Sequence, residues 1–372
     1  MVKTAKISQI IGEGKYGCVH KPSLKCKKTR KTINYKNKIS KIMKKSEAEI
    51  EMKEYNIMEQ IDRAHEYYLG APLQCSPEKT EAAKKSVKRC DYFSPKNLDD
   101  YRLLVMDYGG LQLKQFADKI YHQSSENAPK KYQKIMRDFW KESRRLFEGV
   151  LLLKRKNVIH NDLKPQNIVY DMKKRRLNFI DFGLMMMADV IKKMGKSSTY
   201  YNTGLHWSYP PEIIFINKDE FDKVAAGEKG DVQFARRERQ FKDFVRDVED
   251  DANGHINYFM EVTEKSFGGQ PEKDHNLLEM IKRHMDEFHT FLFRDIDEYS
   301  YEDFINSLLN TIDTYGLGIS LIYVLHRTAY LIPTDVAREL NALFLDMLHF
   351  NVFKRIQPEE AGRRFENIIQ EW

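Results

Sequence analysis

The run Val158-Ile-His-Asn-Asp-Leu-Lys-Pro-Gln-Asn167 constrains this chain more than any other. An aspartate, a lysine two residues on and an asparagine five on can converge in one short loop. Such a loop offers Asp162 to take a hydroxyl proton, Lys164 to hold a phosphoryl oxygen and Asn167 to hold a metal. Ile180-Asp-Phe-Gly183 follows a second short apolar strand. Asp181 stands 14 residues past Asn167, which suits a hairpin that returns a second metal ligand to the same place.

A second constraint lies near the N-terminus, in Ile11-Gly-Glu-Gly-Lys-Tyr-Gly-Cys-Val19. Glycines at positions 12, 14 and 17 let backbone N–H groups approach phosphates with no Cβ in the way. A dinucleotide-binding turn has the same spacing, but it opens a helix and meets an acidic residue about 20 positions on. Here Cys18-Val19-His20 continues as strand and the following residues are lysine-rich, which favours a glycine flap between two antiparallel strands.

Composition sets the outer limits. Of 372 residues, 41% are hydrophobic and 12% aromatic, enough for a core and too many for wholesale disorder. The net charge of +7 permits an anionic partner without requiring one. The lysine-rich stretch 21–45 has only Tyr35 interleaved, which argues against nucleic-acid binding. The apolar runs 146–153 and 317–325 fall short of a membrane span, and the first ten residues lack the apolar core of a secretory signal. Cys18, Cys26, Cys75 and Cys90 include no CxxC pair, so reduced thiols in a cytoplasmic setting are expected. Helical spacing predicts helices over 47–61, 132–155 and 311–326; 70–100 reads as a loop insertion.

At this point the chain resembles the protein kinase superfamily, over nearly its whole length and in the family's order. Ile11, Gly12, Glu13, Gly14, Lys15, Tyr16, Gly17, Cys18 and Val19 fit the glycine-rich loop. Lys41 fits the third-strand lysine and Glu54 the helix glutamate that pairs with it, whereas Glu47, Glu49 and Glu51 read as a solvated face. Leu104 to Gly109 fits the hinge, with Met106 as gatekeeper and Asp107 and Gly109 beside the nucleotide. Asp162, Lys164 and Asn167 fit the catalytic loop, Asp181 the metal motif, and Pro210-Pro211-Glu212 the end of the activation segment. Asp313 to Gly318 fits the anchoring helix of the lower lobe, and Arg355 the arginine that pairs with Glu212.

The resemblance implies an α+β bilobal fold: an antiparallel-sheet N-lobe over 1–109 and a mainly helical C-lobe over 110–372. It implies ATP and Mg²⁺ as cofactors, with Asp162, Lys164, Lys41 and Glu54 catalytic and Asn167 and Asp181 on the metal. Asp-Leu-Lys-Pro-Gln-Asn167 resembles serine/threonine kinases more than tyrosine kinases, and the resemblance of the Pro211-Glu212 end and the Asp313–Gly318 helix implies a protein substrate. A catalytically inactive kinase-fold scaffold and a small-molecule phosphotransferase are the competing readings; the intact Lys41, Asp162, Asn167 and Asp181 set argues against the first.

Two departures stand out. Asn161 precedes the catalytic Asp162 where most of the family carry arginine; it cannot pair with a phosphate as that arginine does, so activity is expected not to need activation-loop phosphorylation. Glu212 and Asp313 are about 100 residues apart, so roughly 85 residues are inserted, at about 214–303. Residues 213–305 hold 13 Lys/Arg against 23 Asp/Glu, while the first fifty hold 14 against three. The insertion's aromatic residues predict helices, either a layer covering the lower lobe or a docking module for a partner. The short Pro22-Ser-Leu-Lys-Cys26 stretch, the serine before Lys41 and the long insertion resemble kinases of large DNA viruses of the phycodnavirus and mimivirus sort. That implies work in the cytoplasm of an infected cell or carriage in the virion.

Overall fold

A computed structural model describes residues 8–14, 17–27, 32–90, 97–124, 129–200, 208–225, 230–250, 275–370 and 372. The chain divides into two compact units, Met1–Gly110 and Leu111–Trp372.

The first unit is built on a five-stranded antiparallel sheet of β1 (Gln9–Gly14), β2 (Gly17–Lys21), β3 (Lys38–Lys44), β4 (Leu73–Cys75) and β5 (Tyr101–Asp107), in the order β1-β2-β3-β5-β4. Side chains alternate between faces along each strand, and the two faces bury different things. Met43 and Leu104 pack with Ala48 of helix α1 (Lys45–Ile61). Cys18, Ile42, Leu103 and Val105 point the other way and pack with Val87, Cys90 and Leu98. The segment expected to be a loop insertion thus covers the outer face of the sheet. It carries helix α2 (Glu81–Val87), whose N-terminus is capped by Thr80 Oγ1 accepting from the Ala83 N–H at 3.2 Å.

The cysteines differ from expectation. Cys18 is joined to Cys90, with Cα atoms 6.2 Å apart, and Cys26 to Cys75, at 5.7 Å. Sequence separations of 72 and 49 gave no spacing signal. The pairs exist because the residues leading to and following α2 fold back across the sheet.

The second unit begins with β6 (Leu111–Gln112), α3 (Leu113–Ser124) and α4 (Pro129–Arg155). Next come β7 (Val158–Ile159), β8 (Ile168–Asp171), β9 (Arg176–Phe179), β10 (Met186–Met187) and α5 (Ala188–Lys196). Among the described residues that follow, the helices are α6 (Lys218–Val224), α7 (Asp231–Asp250), α8 (His275–Thr290), α9 (Tyr301–Thr328), α10 (Thr334–Met347) and α11 (Pro358–Gln370). Among the described residues, β6-β8-β9 form one small sheet and β10-β7 another.

Helix α9 is the axis of this unit, buried from Leu308 to Thr328 except for Asn310. It extends the predicted 311–326 helix in both directions. The stretch Tyr301–Leu331 is long and apolar enough to cross a membrane by composition, yet 94% of its most apolar window is buried inside the protein. Its apolar surface is therefore already covered. Ser300 and Asp303 close its N-terminus with a reciprocal capping box. Gly316 has no room for a side chain, because a Cβ there would lie 2.5 Å from the Leu163 carbonyl oxygen.

The insertion is helical where it is described, in α6, α7, α8 and the turns Phe291–Asp295 and Ile296–Glu298. It is rooted in the second unit's core. Phe244 of α7 sits 4.6 Å from Phe288 and 5.5 Å from Phe350, and Phe291 lies 6.2 Å from both Phe215 and Phe304.

Candidate active site

Within the first unit, β1 and β2 form the glycine hairpin, with Glu13 opposite Cys18 and Gly14 opposite Gly17. The pairing shifts register between Ile10 and Gly12, at Ile11. Gly17 is demanded by packing: a Cβ would stand 2.4 Å from the Ile42 carbonyl oxygen of β3. Lys15 and Tyr16 lie outside the described residues.

Val19 pairs with Lys41 and Cys18 with Ile42, so these neighbours face opposite sides of the sheet. Val19 shares the Lys41 side. Cys18, expected at the nucleotide, is 1% exposed and turned into the outer-face core instead. Strand alternation overrides its place in the motif.

The lysine partner is the second correction. Lys41 Nζ lies 2.6 Å from Glu51 Oε2, so Glu51 takes the place expected of Glu54. Helix α1 follows β3 with no linker, and its buried positions are Ala48, Glu51, Tyr55 and Met58. That spacing of three, four and three residues is one helical face. Glu51 lies on it, one turn above Tyr55, and Glu54 is half-buried beside it. The stripe was present in the sequence, but the residues after Glu54 resemble the family's more closely than those after Glu51. Glu49 is exposed as expected, and Glu47 is half-buried. In β5, Met106 packs against the Met43–Leu104 cluster and Asp107 pairs with Lys38 at 2.9 Å. Gly109 is buried just beyond.

The second unit gathers the rest. Lys164 Nζ donates to both Asp162 oxygens at 2.8 and 2.9 Å. Asn167 Nδ2 donates to the Asp162 carbonyl at 2.9 Å and to its Oδ2 at 2.7 Å. The Ile180 N–H donates to the Asn167 carbonyl at 2.9 Å, fastening the strand that leads to Asp181 onto the same loop. Asp181 adopts φ 62°, and its charge acts on both Asp162 and His160. The three residues predicted to converge in one loop do so.

Beneath the loop, Asp313 of α9 accepts the His160 N–H at 2.7 Å and the Asn161 N–H at 3.0 Å. Complete burial raises the Asp313 carboxyl to about 6 against these two donors. His160 is wholly buried between Phe179 and Phe182, with centroids 6.0 and 5.2 Å away, and burial lowers its pKa. It is a packed neutral residue, not a base. Asp162 is held above the usual carboxylate range by burial, with Lys164 pulling the other way.

Asn161, at φ 60°, takes over the ground of the missing arginine. Its Nδ2 donates to the Tyr200 hydroxyl at 3.2 Å and to the Leu184 carbonyl at 3.3 Å. Tyr200 is further held by Asn217, whose amide makes two 3.0 Å hydrogen bonds with its backbone. The Tyr209 hydroxyl donates to the Asn161 carbonyl at 2.7 Å. A neutral network thus binds the activation segment where most of the family carry a charged one, and the sequence held no signal for Tyr200. Ser197 and Thr199 are exposed; Tyr201 and Thr203 lie outside the described residues. Glu212 and Arg355 form the predicted ion pair, with both side chains wholly buried.

The carboxylate of Asp181 and the amide oxygen of Asn167 are hard oxygen donors of the kind Mg²⁺ takes. The donor set fits that ion.

Comparison with known proteins agrees with this geometry. A stretch of 70 residues, 19% of this chain, is 39% identical to a putative serine/threonine-protein kinase, gskl-1, of Caenorhabditis elegans. The match spans 18% of that relative's length. The family description of the protein kinase domain matches residues 5–232, well over half of the chain. With the Lys41–Glu51 pair, the Asp162–Asn167 loop and the Glu212–Arg355 pair in place, the chain belongs to the protein kinase family.

Proposed function

We propose that this chain is an ATP-dependent protein kinase acting on serine and threonine hydroxyls. The Lys41–Glu51 ion pair at 2.6 Å carries the reading: a scaffold has no need of a lysine oriented in this way. Family membership supports nucleotide use, and Asn167 and Asp181 would hold Mg²⁺, which supplies charge neutralisation on the phosphates. Lys41, fixed by Glu51, holds phosphoryl oxygens. Asp162 Oδ1 or Oδ2 orients the substrate hydroxyl and accepts its proton, while Asn167 fixes the carboxylate plane and Lys164 sets its charge.

Because Asn161 and Tyr200 brace the activation segment without a charge pair, the kinase is active without phosphorylation there. The Pro22–Cys26 stretch and the insertion support a large-DNA-virus kinase that works in the host cytoplasm or travels in the virion. The acidic insertion would then suit a basic protein partner.

The test is γ-phosphate transfer from MgATP to a basic protein, wild type beside Asp162→Asn. Acid-stable phosphate on serine or threonine that vanishes in the variant supports the reading. No transfer from a folded wild type that binds ATP moves the assignment to a scaffold.

A further inference from the structure

The pairing of β1 with β2 places Glu13 opposite Cys18, and the period of two places His20 on the same face as Cys18. The chain returning from α2 brings Cys90 onto that face. Cys18 Sγ, Cys90 Sγ and a Glu13 carboxylate oxygen all lie within 4.8 Å of one another, the single such cluster of potential metal ligands among the described residues. Glu13 Oε1 is 3.1 Å from Cys18 Sγ, and His20 Nε2 is 3.6 Å from Cys90 Sγ. Two thiol sulfurs, an imidazole nitrogen and a carboxylate oxygen make a four-donor set. Around tetrahedral zinc, bond lengths of about 2.0–2.3 Å put neighbouring donors about 3.3–3.8 Å apart. The sulfur–nitrogen distance falls in that range and the sulfur–oxygen distance just under it, while the two sulfurs, bonded to each other in this form, part to that spacing only on reduction.

We propose that Cys18, His20 and Cys90, closed by Glu13, form a zinc-class metal site when the two cysteines are in the dithiol state. His20 is 0% exposed, Cys18 1% and Cys90 4%, while Glu13 is exposed at the mouth. Sulfur and nitrogen donors select zinc over magnesium, keeping this site apart from the catalytic one. The disulfide form and the metal form are alternatives. A thiol reductant such as glutathione gives two electrons and two protons to the Cys18–Cys90 bond and becomes its own disulfide. The two thiols then bind one divalent cation and release two protons. Either form fastens the segment after α2 to the strand that follows Gly17.

The full chain, reduced and kept from air, is titrated with Co²⁺ alone and then with Zn²⁺. One Co²⁺ per chain, with thiolate charge-transfer absorption that Zn²⁺ displaces, is the expected result. Cys90→Ser and His20→Ala each weaken binding by about a hundredfold, while the paired change Cys26→Ser with Cys75→Ser leaves it intact. Circular dichroism confirms that each variant is folded. A Zn²⁺-dependent rise in the melting temperature of reduced wild type gives a reading that needs no variant. The proposal is overturned if the reduced, folded wild type takes up no cobalt, if Cys18 and Cys90 stay joined under reductant, or if a folded chain lacking both still shows the band. None of these outcomes depends on kinase activity.

Discussion

At the scale of single residues, the telling comparison is between two glutamates three positions apart. Glu51 is bound to Lys41 in a pair whose side chains are 6% and 15% exposed. Removing one member of such a pair costs about 3 kcal/mol, which corresponds to about a hundredfold in rate if the lysine loses its orientation. Glu51→Gln should therefore lower kcat/KM for MgATP about a hundredfold, and Glu54→Gln by less than about threefold, measured by steady-state phosphotransfer. Asp162 gives a second prediction. Its carboxyl is held above the ordinary range, so activity should fall on acidification earlier than for a normal aspartate. Lys164 opposes that rise, so in Lys164→Met the acid limb of kcat/KM should move to still higher pH. A limb that moves to lower pH would show that Lys164 does not hold the Asp162 carboxyl down. The convergence of Asp162, Lys164 and Asn167 was legible because the chemistry it would serve demands fixed spacing within one loop. The lysine's partner was misread because helical position is set by the buried stripe, and the neighbouring residues pointed elsewhere.

Elements show where sequence alone was thin. Strand and helix periods marked β1, β2 and α1 closely, but nothing local announced that α2 would cover the outer face of the sheet. Long-range cysteine pairs and the turn of Cys18 away from Val19 follow from that layer. The activation segment is similar: Asn161 was visible as a departure, whereas Tyr200 as its partner depends on a bend 39 residues later. Each hydrogen bond of this brace is worth about 1 kcal/mol, so Asn161→Ala should reduce kcat up to about tenfold with KM for ATP unchanged. Phosphatase treatment of the wild type should leave the rate as it was. A phosphatase-sensitive rate would mean that the segment is held by a phosphate after all. Gly316→Ala tests the contact under the catalytic loop. The added methyl would meet the Leu163 backbone, and overpacking of this sort costs about 1–3 kcal/mol, seen as a lower denaturation midpoint.

For the molecule as a whole, the insertion was legible as an acidic helical addition, and its attachment was not. Phe288 and Phe291 are at most 1% exposed and stack within the second unit's core. Phe291→Ala should cost about 3–5 kcal/mol, read from urea unfolding of the full chain, and a near-neutral result would mark the insertion as a detachable module. Asp313 has a consequence of another kind. It holds the backbone of His160 and Asn161 from 153 and 152 residues further along the chain. During synthesis the loop is made long before the clasp that seats it. The whole insertion must be translated in between. A ribosome-bound chain ending before α9 thus carries the Lys41–Glu51 pair and the Asp162–Asn167 loop yet lacks the clasp that seats the loop, so the loop is set abruptly, near the end of translation.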